Sequence, residues 1–167
     1  MNTTTQDEQQ NDLRRSMYLR KALRQDMDEV YALIHSLNLD ESSMKRRQFF
    51  IARHMGGTLI GCARLKDLGW DFYELASVGV HPDYRHLRVG WNLVNALIHP
   101  PPDMKEPRLR GIWAICEKKD YNFFAHHGFL PCFEGFWPRT LDKKIESWGE
   151  DNEEQDLLVI HYGDIPV

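Results

Sequence analysis

Residues 73–98 read YELASVGVHPDYRHLRVGWNLVNALI, and two groups in this stretch could do chemistry. Glu74 is a carboxylate inside an apolar run with Phe72, Leu75 and Val78. Burial there would partly desolvate it and favour proton uptake; the plainer alternative is a strand residue facing solvent or an arginine. The second group is the turn DYRHLRVG, where an apolar strand gives way to a helix. The first amides of a helix have no intrahelical acceptor, so the main chain of His86, Leu87, Val89 and Gly90 can form a nest for a phosphate. Arg85 and Arg88 supply counter-charge, the helix dipole adds to it, and Gly90 lets the backbone come close to a ligand.

These groups need a scaffold, and the hydrophobic pattern predicts one. MYLRKAL, from Met17, alternates like a short strand. Asp26 or Asp28 then precedes Val30, Tyr31, Leu33, Ile34 and Leu37 at helical spacing. QFFIARH and TLIGCARL flank the turn MGG and form a hairpin. FYELASVGV is apolar enough for a central strand. Apolar residues from Leu87 to Ile98 repeat with a helical period until Pro100, Pro101 and Pro102 stop them. RLRGIWAICE reads as a strand, KDYNFFAHH as a short helix closed by Gly128, FLPCFEGF as a strand, IESWGEDNEEQD as a solvated acidic loop, and LLVIHY as a last strand. Hairpins mixed with crossovers predict an α/β (α+β) fold, a mixed central sheet with helices on both faces. Residues 1–16 are polar and without apolar period, so they are expected to be a disordered N-terminal tail ahead of one domain at 17–167.

The chain has 167 residues, 42% hydrophobic and 11% aromatic, so it can bury a core and is not a disordered class. Its 21 Lys+Arg against 25 Asp+Glu leave a net charge of −4, which argues against a nucleic-acid partner. No stretch suggests a membrane span or an export signal, so a cytoplasmic location is expected. The 3 cysteines, Cys62, Cys116 and Cys132, form neither a disulfide framework nor a metal knuckle. His126 and His127 are adjacent and would diverge by about 100° on a helix, so they cannot share one metal ion, and no metal is expected.

VGVHPDYRHLRVG, followed by an amphipathic helix and then YNFFAHHGF, resembles the two main motifs of the GNAT superfamily of acetyl-CoA-dependent N-acetyltransferases. In that family the amides of a Q/R-x-x-G-x-G/A loop bind the coenzyme pyrophosphate. Arg85 matches the first position and Gly90 the last, while Arg88 stands at the first glycine. Within the superfamily the pattern is similar to the acetyltransferase domain of N-acetylglutamate synthases.

The resemblance implies acetyl-CoA as co-substrate and direct transfer to a primary amine of a small molecule, with an amino acid favoured. A free amine is scarce at neutral pH, because its pKa is about 10.4, so a base is needed. Glu74 matches the strand glutamate that serves as base in many members. The main-chain amides of Val78, Gly79 and Val80 would hold the thioester oxygen and the pantetheine arm. The tyrosine that often protonates the leaving thiolate is replaced by Phe124, and Tyr121, one turn earlier, is the substitute. Asn122 is a further coenzyme contact. A non-catalytic acyl-CoA-binding regulator and a protein N-acetyltransferase are the alternatives. Exposed strands and Trp137 favour a homodimer.

Overall fold

The computed structural model describes residues 3–100, 102, 109–151 and 156–165. Along the chain run α1 (Thr3–Ser16), β1 (Met17–Lys21), α2 (Met27–Ser36), β2 (Phe49–His54), β3 (Leu59–Gly69), β4 (Phe72–Val80), α3 (Val89–Ile98), β5 (Gly111–Glu117), α4 (Tyr121–Ala125), β6 (Leu130–Pro131), α5 (Asp142–Asp151) and β7 (Leu157–Gly163). The seven strands form one sheet in the order β1-β2-β3-β4-β5-β7-β6. β1, β2 and β3 are antiparallel neighbours, as are β5, β7 and β6, whereas β4 and β5 are parallel. The sheet is therefore mixed, as the alternation of hairpins and crossovers predicts. The crossover that a parallel pair requires contains α3.

The chain forms two compact units, one of residues Met1–Leu65 and Ser77–Pro102, the other of Lys66–Ala76 and Asp103–Val167. In the first, Val30, Leu33 and Ile34 of α2 pack with Phe49, Ile51 and Cys62 of β2 and β3. The β2–β3 hairpin turns at Gly57, whose φ of 96° suits glycine. Asp26, 1% exposed, precedes α2 and accepts from both Arg20 and Arg53. In the second unit Trp113, Phe72, Leu141 and Val159 make the core, with the Phe72 and Trp113 rings 5.3 Å apart. Gly111 is required there. A Cβ on it would lie 2.2 Å from the Asp164 carbonyl oxygen.

Three expectations are corrected. Residues 3–16 of the expected disordered tail are helical, with Leu13 buried as an anchor and Arg14 and Arg15 in the last turn, where the dipole favours cations. The acidic segment expected to be a solvated loop begins inside α5 and is helical to Asp151; Ile145, with Leu141 just ahead of the helix, packs on the core, and Trp148 follows one turn on. Its residues 152–155 lie outside the described ones. The strand expected over FLPCFEGF shortens to Leu130–Pro131, since Pro131 has no N–H to extend a ladder.

Candidate functional site

The β4–α3 loop is the part of the site that the sequence marks most directly. His81 leaves β4 with its N–H on the Ile60 carbonyl at 2.8 Å, and its ring Nδ1 accepts from the Asp83 N–H at 3.2 Å. A short turn over Pro82–Tyr84 follows. His86 and Arg88 then both take left-handed backbone, each with φ 62°, and α3 begins at Val89. Left-handed residues ahead of a helix start are a feature of main-chain anion nests in general. Arg88 thus holds a left-handed conformation, at a cost of roughly 1 kcal/mol for carrying a Cβ there. Its guanidinium stacks over Trp91 at 5.1 Å from the ring centroid. Arg85 is exposed, with Nε reaching back to the Val80 carbonyl at 3.4 Å.

Two glycines allow close approach on the strands beside this loop, Gly61 to α3 and Gly79 to the segment after α2, a role that the spacing does not suggest. A Cβ on Gly61 would meet Leu93 Cδ1 at 2.9 Å and Val89 Cγ1 at 3.0 Å, so glycine on β3 lets the first turns of α3 press against the sheet. A Cβ on Gly79 would meet Leu39 and Leu37 at 2.8 and 3.0 Å. The fully buried Val89 and Leu93 fix the helix from the other side. From α1, Gln10 Nε2 donates to the His86 carbonyl at 3.3 Å.

Glu74 is 2% exposed, as its apolar neighbours predict, but apolar walls do not surround its carboxylate. Lys144 Nζ on α5 donates to Oε1, and Lys66 Nζ on β3 stands 3.5 Å from Oε2. Each oxygen therefore faces an ammonium. The Lys144 amine also lies 4.7 Å from the Trp148 ring centroid. Lys144 is 70 positions away along the chain, so no local spacing could have revealed it. β4 pairs with β5 over Phe72–Glu74, the first third of the strand.

Tyr121 and Asn122 open α4. The Tyr121 hydroxyl, the substitute acid that the resemblance suggests, donates to the Phe129 carbonyl at 3.2 Å. Phe124 packs edge-on against Phe123 and Phe129. Asn122 is exposed, and its carbonyl pairs with the His126 ring at 2.6 Å.

Arg64 was not singled out by sequence, although its side chain is fully buried. Its guanidinium reaches Ser77 Oγ, the carbonyls of Ser42 and Asp40, and the Asp40 carboxylate at 2.9–3.2 Å. Ser77 itself has φ 51°, a left-handed residue within β4. The segment between α2 and β2 is thereby tied to β3 and to the far half of β4.

The family model of the Acetyltransferase (GNAT) family matches residues 10–129. This chain belongs to the GNAT acetyltransferase family. Among curated proteins none matches. Among solved structures, the GNAT fold of this chain is similar to N-acetylglutamate synthase from Neisseria gonorrhoeae complexed with coenzyme A and N-acetyl-glutamate, with TM-score 0.65 and 23% identity over 86% of this chain and 34% of that one. The same synthase with coenzyme A and L-arginine gives 0.62 and 25%, over 86% and 32%. Rv2747 from Mycobacterium tuberculosis, in complex with CoA, gives 0.67 and 18%, over 88% and 99%. The chain spans about a third of the length of the synthases it matches. Among the described residues, no group of three or more His, Cys, Asp or Glu could hold a metal ion, and no helix is long and apolar enough to cross a membrane.

Proposed function

We propose that this GNAT domain transfers the acetyl group of acetyl-CoA directly to the primary amine of a small molecule, with an amino acid the favoured acceptor. The observation that carries this reading is the β4–α3 loop, in which two left-handed residues, His86 and Arg88, lead straight into α3. That backbone fits a diphosphate, with the Val89 and Gly90 amides as donors and Arg85 and Arg88 as counter-charges. Val78, Gly79 and Val80 lie on the same strand just before the loop, and their main chain would carry the pantetheine arm and polarise the thioester oxygen. Glu74, further back along β4, would take the proton of the acceptor ammonium. The nitrogen lone pair then adds to the thioester carbon, the C–S bond breaks as an amide N–C bond replaces it, CoA leaves as thiolate, and the second nitrogen proton passes to that thiolate or to solvent. A thiol pKa of about 8.5 makes that departure feasible without a strong acid. Tyr121 would serve as acid only after giving up its bond to the Phe129 carbonyl.

A non-catalytic acyl-CoA-binding regulator is the second reading, favoured by Phe124 at the usual tyrosine position and by the engaged Tyr121 hydroxyl. Thiol release from acetyl-CoA, followed over a panel of amino acids, polyamines and aminoglycosides, separates the two. Release with an amine supports transfer. A thermal shift with acetyl-CoA but no release from any amine supports the regulator; about 2.7 kcal/mol of stabilisation is expected at 100 times the dissociation constant. Absence of any shift removes both.

A further inference from the structure

We propose that Lys144 is a self-acetylation site of this domain, modified when acetyl-CoA is present and no acceptor competes. The proposal rests on the reading of Glu74 as the base for acetyl transfer. Lys144 presents a primary amine, the chemical class that the reaction consumes, and its Nζ donates directly to Glu74 Oε1. That is the contact an external amine would make while losing its proton to the same carboxylate. The Trp148 ring, one helical turn along α5, holds the Lys144 amine at 4.7 Å and restricts its alternatives. Lys66 remains 3.5 Å from Oε2, so Glu74 keeps an ion-pair partner after Lys144 loses its charge.

The step balances. The Lys144 ammonium gives one proton to Glu74, its lone pair adds to the thioester carbon, and nitrogen then loses a second proton. The C–S bond breaks, an amide N–C bond replaces it, and one proton ends on the CoA thiol while the other goes to solvent. Acetyl-CoA is the only co-reactant. Acetyl-Lys144 would occupy the base without its charge, and an external acceptor would compete with the modification.

Burial makes the test selective. The Lys144 side chain is 14% exposed, against 56% for Lys118 and 71% for Lys119. Uncatalysed acylation favours exposed amines, so it ranks Lys119 and Lys118 above Lys144. Catalysed transfer reverses that order. The full chain is incubated with acetyl-CoA and no acceptor, a parallel sample is treated with acetic anhydride, and acetylation at each lysine is followed by peptide mass spectrometry. The expected result is that acetyl-CoA labels Lys144 about a hundredfold faster than Lys118 or Lys119, the low end of what a positioned base contributes, while anhydride gives the opposite order. Glu74→Gln, checked for folding by circular dichroism, should remove the preference. The same order with both reagents, or no label on Lys144 in a sample whose melting temperature rises with acetyl-CoA, overturns the proposal; the wild-type comparison suffices if the variant does not fold. No melting shift at all marks instead the failure of the acetyl-transfer reading, and the proposal falls with it.

Discussion

Arg64 Nε donates to Ser77 Oγ at 2.9 Å, and that hydroxyl in turn donates to the Asp40 carbonyl at 2.7 Å. A buried guanidinium thus joins two strands and the segment after α2 through groups that all have partners. Replacing it leaves the Asp40 carboxylate, 7% exposed, without its cation. Arg64→Met should therefore destabilise the fold by about 3–5 kcal/mol, the usual result of removing one partner from a buried pair, measured by urea unfolding. Ser77→Ala, which removes a hydroxyl and keeps the charge, should cost about 1–3 kcal/mol.

Glu74→Gln should lower kcat for acetyl transfer by about a hundredfold to ten-thousandfold while acetyl-CoA binding persists, read by steady-state kinetics beside a binding titration. Wild-type turnover in a folded variant would take Glu74 out of the mechanism.

At Arg88 two substitutions separate strain from charge. Glycine accepts φ 62° freely and alanine does not, so Arg88→Gly should be more stable than Arg88→Ala by about 1 kcal/mol in thermal unfolding. Both lose the guanidinium, so both should bind acetyl-CoA more weakly than the native chain, and by a similar factor. Equal affinity in all three would remove Arg88 from diphosphate recognition.

Asp26 sets an acid limit on stability. The hydrogen bond from Arg20, with help from Leu23 N–H and Arg53, holds its carboxyl well below the usual carboxylate range despite burial. Its folded pKa is thus lower than its unfolded value of about 3.9, so its contribution is fully present above that value and is lost as pH falls through the folded pKa. The melting temperature should drop steeply below about pH 4, and Asp26→Asn should flatten that limb while lowering stability at neutral pH.

Gly111→Ala places a methyl 2.2 Å from the Asp164 carbonyl oxygen, a backbone atom that cannot swing aside. The cost should reach about 1–3 kcal/mol or more in chemical denaturation.

Local chemistry made much of this legible in sequence. The Gly-Gly turn between two apolar runs announces the β2–β3 hairpin, and the apolar stretch ending at His81-Pro82 announces β4, its loop and α3. α5 was readable too, through Leu141, Ile145 and Trp148, but its charge content masked that period. Lys144 and Arg64 belong to another kind of information. Their partners lie 70 and 13 to 24 positions away, and only the folded chain brings them together. α1 had a single apolar anchor, Leu13, too little for any periodicity argument.

The sheet ends at β1 on one side and β6 on the other. β6 offers two residues, one of them an imino acid, and β1 carries Arg20 and Lys21. Neither border is a good template for a neighbour's strand, so the chain is guarded against polymerising into cross-β fibrils even though Leu130 and Phe133 lie bare close to one margin.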